Sequence, residues 1–136
     1  MIVVDASVAV KWFLREEETA KANLLLKGND KLVAPEIVYI EVISAITKRY
    51  RLGEITKDTV IKKFNLWNEM VEEKIIHLYP VKDLIQLSFL IASNLKYPIY
   101  DCIYLALAQS LNVPIISSDK KFLNIAKSVY KSVRLL

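Results

Sequence analysis

Short β-branched runs alternate along this chain with longer stretches of helical spacing. The opening MIVVD reads as a buried strand that ends at Asp5. Ser7 is placed to cap a first helical turn running through Trp12 and Leu14, and residues 17–27 continue as an amphipathic helix closed by Gly28 and Asn29. KLVAP is a second strand stopped by Pro35, and residues 36–50 have helical spacing that ends in the basic KRYR ahead of Gly53. Thr56 caps a helix over 57–73 whose apolar face carries Val60, Ile61, Phe64, Trp67 and Val71. IIHLY is a third strand terminated by Pro80, with helical spacing over 82–96 and again over 101–111 after Pro98. PIISS makes the fourth strand, 119–127 a short helix and SVRLL a final strand.

Apolar strands alternating with helices are the pattern of a parallel sheet covered on both faces. The expectation is an α/β fold in three layers, α/β/α, around a central parallel sheet of four to five strands. No linker, repeat or low-complexity segment divides residues 1–136, which predicts a single domain.

Four carboxylates break into the apolar runs: Asp5 in IVVDASVAV, Glu41 in IVYIEVISAI, Asp101 in PIYDCIYLALA and Asp119 in VPIISSDKKF. A buried ionised carboxylate costs several kcal/mol, on the order of the loss of a buried ion-pair partner, unless a cation neutralises it. The other acids fall in polar or turn-like segments (Glu16 to Glu18, Asp30, Glu54, Asp58) or cluster at the end of a helical stretch (Glu69, Glu72, Glu73). Glu36 and Asp83 follow prolines in the first turn of candidate helices, where the helix dipole favours a negative side chain. Asp119 before KKFL is also an ordinary helix cap, and Asp5 is compatible with a turn.

Ligands of parallel α/β sheets bind beyond the carboxyl ends of the strands. Asp5 ends its strand and Asp119 lies just past its own. Glu41 is aligned with Ile37, Ser44 and Ala45 near the start of its helix and is expected to point inward, while Asp101 opens a helix continued by Tyr104, Leu105 and Ala108. All four acids are thus expected to meet on one edge of the sheet.

Composition narrows the chemistry by exclusion. His77 and Cys102 are the only histidine and cysteine, which gives no zinc signature, no Ser-His-Asp triad and no Cys-His pair, and Gly28 and Gly53 alone cannot make a phosphate loop. An all-oxygen donor set favours Mg²⁺ or Mn²⁺ over zinc. One or two such ions would polarise a phosphodiester and generate hydroxide from water, so phosphate-ester hydrolysis is the natural reaction class.

The net charge of +4 conceals an asymmetry: with the four embedded acids set apart, 11 acidic side chains face 19 basic ones. A basic body around an acidic hole suits a polyanionic substrate. Lys11 and Arg15 after Asp5, and Lys120 and Lys121 after Asp119, are the candidates to meet the phosphates of such a polyanion. Trp12, Phe13, Tyr39 and Tyr104 are aromatic candidates for contact with a ligand or partner, although their helical spacing favours core packing or a dimer interface. The apolar runs are too short and too interrupted to span a bilayer, and Asp5 interrupts the only N-terminal one, so a soluble, cytoplasmic protein is expected.

VVDASVAVKWFLREE, PEIVYIEVISAITKR and YDCIYLALAQSLNVPIISSDKKF, in this order and spacing, resemble a PIN domain, and most closely the VapC toxins of VapBC toxin–antitoxin pairs. The resemblance covers essentially the whole chain. It implies a divalent-metal-dependent endoribonuclease in which Asp5, Glu41, Asp101 and Asp119 hold Mg²⁺ or Mn²⁺, with Ser7 and Ser117 matching supporting hydroxyl positions. It also implies a homodimer, and inhibition by a VapB-type antitoxin whose C-terminal segment lies over the active-site groove. By the family's mechanism, water rather than the RNA 2′-OH is the nucleophile, which leaves 5′-phosphate and 3′-OH ends. The rival expectations are a housekeeping PIN nuclease in RNA maturation or decay, a binding module with a degenerate site, and a phosphatase-like or nucleotide-binding α/β domain.

Overall fold

Five short strands make one sheet: β1 (Ile2–Val4), β2 (Leu32–Pro35), β3 (Ile76–Tyr79), β4 (Ile115–Ser117) and β5 (Val133–Leu135). Their order is β3-β2-β1-β4-β5, and every pairing is parallel. This is a computed structural model, and it describes residues 1–136. Val3 lies opposite both Val33 and Ile115, and β1, β2 and β4 are buried along their whole length. That is why these strands read as unbroken apolar runs rather than alternating ones.

The helices are α1 (Ala6–Ala9), α2 (Thr19–Lys27), α3 (Ile37–Arg51), α4 (Lys57–Glu72), α5 (Ile85–Leu95), α6 (Ile99–Leu111) and α7 (Lys120–Ala126), with 3₁₀ turns at Val10–Trp12 and Val81–Asp83. They complete the expected three-layer α/β/α arrangement. Every residue from Cys102 to Ala108 is buried, because α6 packs across β1, β2 and β4 at the centre of the sheet. Over those seven residues the helix has no face to give to water, and its sequence there is apolar all round. The connections leading from β1 through β2 to β3 step outward in one direction, and the chain then returns to place β4 on the other side of β1. This reversal opens a crevice beyond the carboxyl ends of β1 and β4.

Local chemistry explains the boundaries. The Thr56 hydroxyl accepts the Thr59 N–H at 3.2 Å and starts α4 as expected. Lys96 and Asn112 close α5 and α6 in the left-handed conformation.

Four readings are corrected. Ser7 does not cap the first helix; it lies within α1, whose cap position is Asp5, and α1 is a short turn continued by a 3₁₀ turn rather than one helix through Leu14. The next helix begins at Thr19 rather than Glu17, because Glu18 turns the chain with a left-handed backbone (φ 66°). Gly28 ends α2 extended, without the left-handed cap its type suggests. On α4, Trp67 is fully buried, donating its indole N–H to the Tyr39 carbonyl at 3.1 Å, but Ile61 and Phe64 are exposed. They line an open apolar groove between α3 and α4 together with Ile43, Ile46, Thr47 and Val60.

The candidate contact aromatics Trp12, Phe13 and Tyr39 are spent on packing. Phe13 meets Trp67 edge-on at 5.5 Å, Tyr39 stacks on Trp67 and donates to Asn68, and the Trp12 indole donates to the Ala22 carbonyl at 2.9 Å. Cys102 is free and buried, its thiol pushed up to about 11 by burial and by the neighbouring Asp101 charge, which leaves it inert at neutral pH. No helix is long and apolar enough to cross a membrane.

Candidate active site

Asp5 is the hinge between β1 and α1. Its N–H pairs with the Ile116 carbonyl at 3.0 Å, continuing the ladder to β4, and its own carbonyl accepts the N–H groups of Val8 and Ala9. The backbone therefore does the capping, and the carboxylate is free to turn inward, where it is 6% exposed. Its Oδ2 accepts two hydroxyls, Ser7 at 2.5 Å and Ser117 at 2.6 Å. Those two hydroxyls lie 3.2 Å apart. Ser7 also accepts the Ser118 N–H, and Ser117 the Asp119 N–H, each at 3.0 Å.

Asp119 shows that the capping and site readings are compatible. One oxygen, Oδ1, accepts the Phe122 N–H at 2.9 Å and starts α7, while Oδ2 carries no protein hydrogen bond. Glu41 stands on α3 at the margin of the buried stripe made by Val38, Val42 and Ile46. Ile37 and Ala45 flank it half-buried, but Ser44 is exposed, so the inward-facing row expected from the spacing is only partly buried. The phenol of Tyr104 donates to Glu41 Oε2. Asp101 lies in the first turn of α6, half-buried, with no hydrogen bond to its carboxylate.

Two of the four carboxylates, Glu41 and Asp101, are raised by the charges of other acids as well as by burial. Burial pushes Glu41 up to about 7 against the opposing bond from Tyr104, with the Asp5 and Asp101 charges adding to the rise. Burial likewise lifts Asp101 to about 6, helped by the charges of Asp5 and Asp119. Asp5 is raised by burial despite its two serine donors. All five ion pairs of the molecule lie elsewhere, joining Met1 to Asp30, Lys11 and Arg49 to Glu16, Lys21 to Glu18, and Arg49 to Glu54.

An acidic pocket without a protein counter-charge, built only of oxygen donors, fits a hard divalent cation. The fit is not one of a closed cage, since no three of the acidic, His or Cys side chains converge on a single ion position. Asp5 is buried, Glu41 and Asp101 half-buried and Asp119 exposed, and each carboxylate except Asp101 rests on a hydroxyl or a backbone N–H. Mg²⁺ commonly touches one or two carboxylates and reaches others through its waters.

The basic candidates separate. Lys11 is buried rather than solvated, donating to the Glu17 carbonyl at 2.8 Å and approaching Glu16 at 3.5 Å. It nevertheless lines a cleft beside the acids with Ser7, Ser118, Asp119 and Glu16. Arg15 is exposed over a different hollow, formed with Leu14, Arg49, Glu54 and Ile55. Lys120 and Lys121 are exposed in the first turn of α7, directly after Asp119.

Sequence reasoning missed two features. The Tyr104 bond to Glu41 was signalled by a phenol three residues after Asp101 in a helix too apolar to leave it in water. The Ser118 hydroxyl, buried without a partner beside the cleft, carried no signal.

A parallel α/β sheet with Asp5 and Asp119 at its β1–β4 switch, and with the charges of Asp5, Asp101 and Asp119 acting on one another or on Glu41, defines the class of fold and candidate site. The chain belongs to the PIN domain family, whose model matches residues 2–128. Among curated proteins it is similar to a VapC ribonuclease of Mycobacterium bovis and to ribonuclease VapC9 of Mycobacterium tuberculosis, each 27% identical over 119 residues, covering 88% of this chain and 86% of theirs. Among solved structures it resembles VapC20 of Mycobacterium tuberculosis, a Sarcin-Ricin loop cleaving toxin, with a TM-score of 0.72 at 13% identity over 98% of this chain and 99% of that one. PAE2754 of Pyrobaculum aerophilum matches with a TM-score of 0.70 at 18% identity, covering 98% and 87%. A toxin–antitoxin complex from Klebsiella pneumoniae gives 0.64 at 15% identity, covering 98% and 96%. At these identities the solved structures speak for the fold.

Proposed function

We propose that this protein is a VapC-type endoribonuclease, the toxin of a toxin–antitoxin pair, that hydrolyses RNA phosphodiester bonds with a divalent ion. The observation that carries the proposal is the acid pocket itself: Asp5, Glu41, Asp101 and Asp119 share one edge of a PIN domain, and none has a basic partner in the protein.

Asp5, Asp101 and Asp119 would hold Mg²⁺ or Mn²⁺, which when bound supplies positive charge to the scissile phosphate and acidifies water. Asp5 is fixed for this by the Ser7 and Ser117 hydroxyls, which share one oxygen, and by the backbone N–H groups of Ala6 and Ser7. Asp119 likewise offers the oxygen that does not cap α7. Glu41 orients the attacking water. As the water adds to phosphorus, the bond to the 3′-oxygen breaks, and the products carry 5′-phosphate and 3′-OH.

Exposed Lys120 and Lys121 are suited to phosphates flanking the cleaved bond. Two apolar surfaces support the partners in this reading. The α3–α4 groove suits an apolar antitoxin segment. The uncharged helix α5, with Ile85, Phe89 and Leu90 exposed, suits a second copy of the chain. A cytoplasmic location belongs to the same proposal, since RNA and the antitoxin are made there.

The test is cleavage of RNA by highly purified protein in Mg²⁺ or Mn²⁺, with the ends of the products identified. Mg²⁺-dependent products with 5′-phosphate and 3′-OH are expected, and loss of cleavage in Asp5→Asn. A 2′,3′-cyclic phosphate, or full activity in Asp5→Asn, overturns the mechanism.

A further inference from the structure

Tyr104 is 1% exposed, in the middle of the most buried helix of the fold. A phenol in such a place requires an acceptor for its O–H. Its acceptor is Glu41 Oε2, on a different helix, and no second protein acceptor is shared with it. Phenylalanine would fill the same volume with no polar group to satisfy, so packing accounts for the ring and Glu41 accounts for the hydroxyl.

Glu41 needs such a restraint. It stands at the margin of the buried face of α3, one residue from exposed Ile40, on a side chain with three rotatable bonds. The residue is only half-buried, so water is open to the carboxylate as an alternative to the pocket. The Tyr104 bond is the only hydrogen bond that holds the carboxylate in, and it occupies one oxygen while leaving Oε1 without a protein partner. Tyr104 also lies one helical turn after Asp101 on α6, so a single buried helix sets the position of two acids, Asp101 directly and Glu41 through the phenol.

We propose that Tyr104 is a positioning residue of the acid pocket: its hydroxyl fixes the Glu41 carboxylate toward Asp5 and Asp101, where the pocket's divalent ion and water require it. The inference rests on the reading of the pocket as a divalent-metal ribonuclease site. It concerns a residue that does not itself touch metal or RNA.

The test uses the full chain in four forms, wild type, Tyr104→Phe, Glu41→Gln and the double variant, with two readouts: Mn²⁺ affinity by titration calorimetry, without RNA, and kcat and KM on RNA. Removing an outer partner of a metal-site carboxylate typically costs about 10- to 100-fold in affinity or activity. Tyr104→Phe is expected to lose that much in Mn²⁺ affinity or kcat, with KM for RNA unchanged, while in the Glu41→Gln background it adds less than about twofold because the restrained carboxylate is already gone. Glu41→Asp tests the same contact without touching the buried ring, since the shorter side chain cannot keep its carboxylate at the Tyr104 hydroxyl; a loss comparable to that of Tyr104→Phe is expected. Wild-type behaviour of Tyr104→Phe or of Glu41→Asp in both readouts overturns the assignment while leaving the ribonuclease reading intact. An equal loss from Tyr104→Phe with and without Glu41 overturns it as well, because the ring would then be acting on the fold alone. A wild-type protein that neither binds Mn²⁺ nor cuts RNA overturns both readings.

Discussion

Ser117 donates its hydroxyl to the Asp5 carboxylate at 2.6 Å across 112 residues of sequence, and the same oxygen accepts the Asp119 N–H at 3.0 Å. One fully buried serine therefore ties the acid at the end of β1 to the acid after β4. Ser117→Ala would leave the part-buried Asp119 N–H without its acceptor and the buried Asp5 carboxylate short of one donor. A destabilisation of about 1–3 kcal/mol is expected in denaturant unfolding, together with weaker Mn²⁺ binding. Unchanged values in both would show that the two acids are placed independently of this link.

Asp101 presents the opposite case, a half-buried carboxylate with no hydrogen-bond donor beside it. Its charge is a liability to the metal-free fold and an asset only to a cation. Asp101→Asn is expected to raise the melting temperature of the metal-free protein at pH 8 and to cut RNA cleavage by at least about 100-fold, as expected when an interaction made in the transition state is removed. A melting temperature lower than that of the wild type would mean that the carboxylate has a stabilising partner.

The same physics gives a pH dependence with a definite sign. Glu41 and Asp101 are raised to about 7 and about 6 from the ordinary 4.5 and 3.8, and Asp5 is raised as well. Between the ordinary and the raised values the unfolded chain has released protons that the folded chain still holds. Metal-free stability should therefore fall as pH rises from about 4 to about 7, and level off above the folded values. A bound divalent cation favours the ionised carboxylates and should flatten or reverse that slope. Thermal melts across this range, in chelator and in millimolar Mg²⁺, check it; identical slopes in the two series would contradict a cation in the pocket.

Much of this architecture was legible because it rests on short-range rules. The buried parallel strands appear as unbroken runs of β-branched residues, Thr56 announces the start of α4, and Asp5 and Asp119 stand where strand ends place them. Details failed where a longer-range contact overrode local chemistry. Ser7 has the composition of a cap, but the Asp5 carbonyl satisfies the first turn and the Ser7 hydroxyl is drawn to a buried carboxylate instead. Lys11 has the sequence position of a solvated cation, yet the turn made by left-handed Glu18 brings the Glu17 carbonyl over it. Ile61 and Phe64 follow the helical period of a core face, but the groove they line with α3 is left open. Helical spacing reports which residues share a face and is silent on whether anything covers it.

The exposed lysines that open α7 give a test of RNA contact separate from chemistry. If Lys120 and Lys121 each neutralise a phosphate, Lys120→Ala with Lys121→Ala should weaken binding at low salt and flatten the dependence of log affinity on log salt by about 1.4, or about 0.7 per phosphate on a single strand. Binding of RNA by the Asp5→Asn protein, measured over a salt series, isolates this effect from cleavage. An unchanged slope would place the substrate backbone elsewhere.

The reversal of strand order between β1 and β4 has a consequence for how the protein comes into being. The first acid is translated long before the strand that lies beside it, the serine that holds it and the last acid, which all belong to residues 115–119. A growing chain carries three of the four acids and still has no pocket, because the slot next to β1 is empty until β4 arrives. For a ribonuclease, this order of assembly delays the site: Asp5 and Asp119 come together only once β4 has been made.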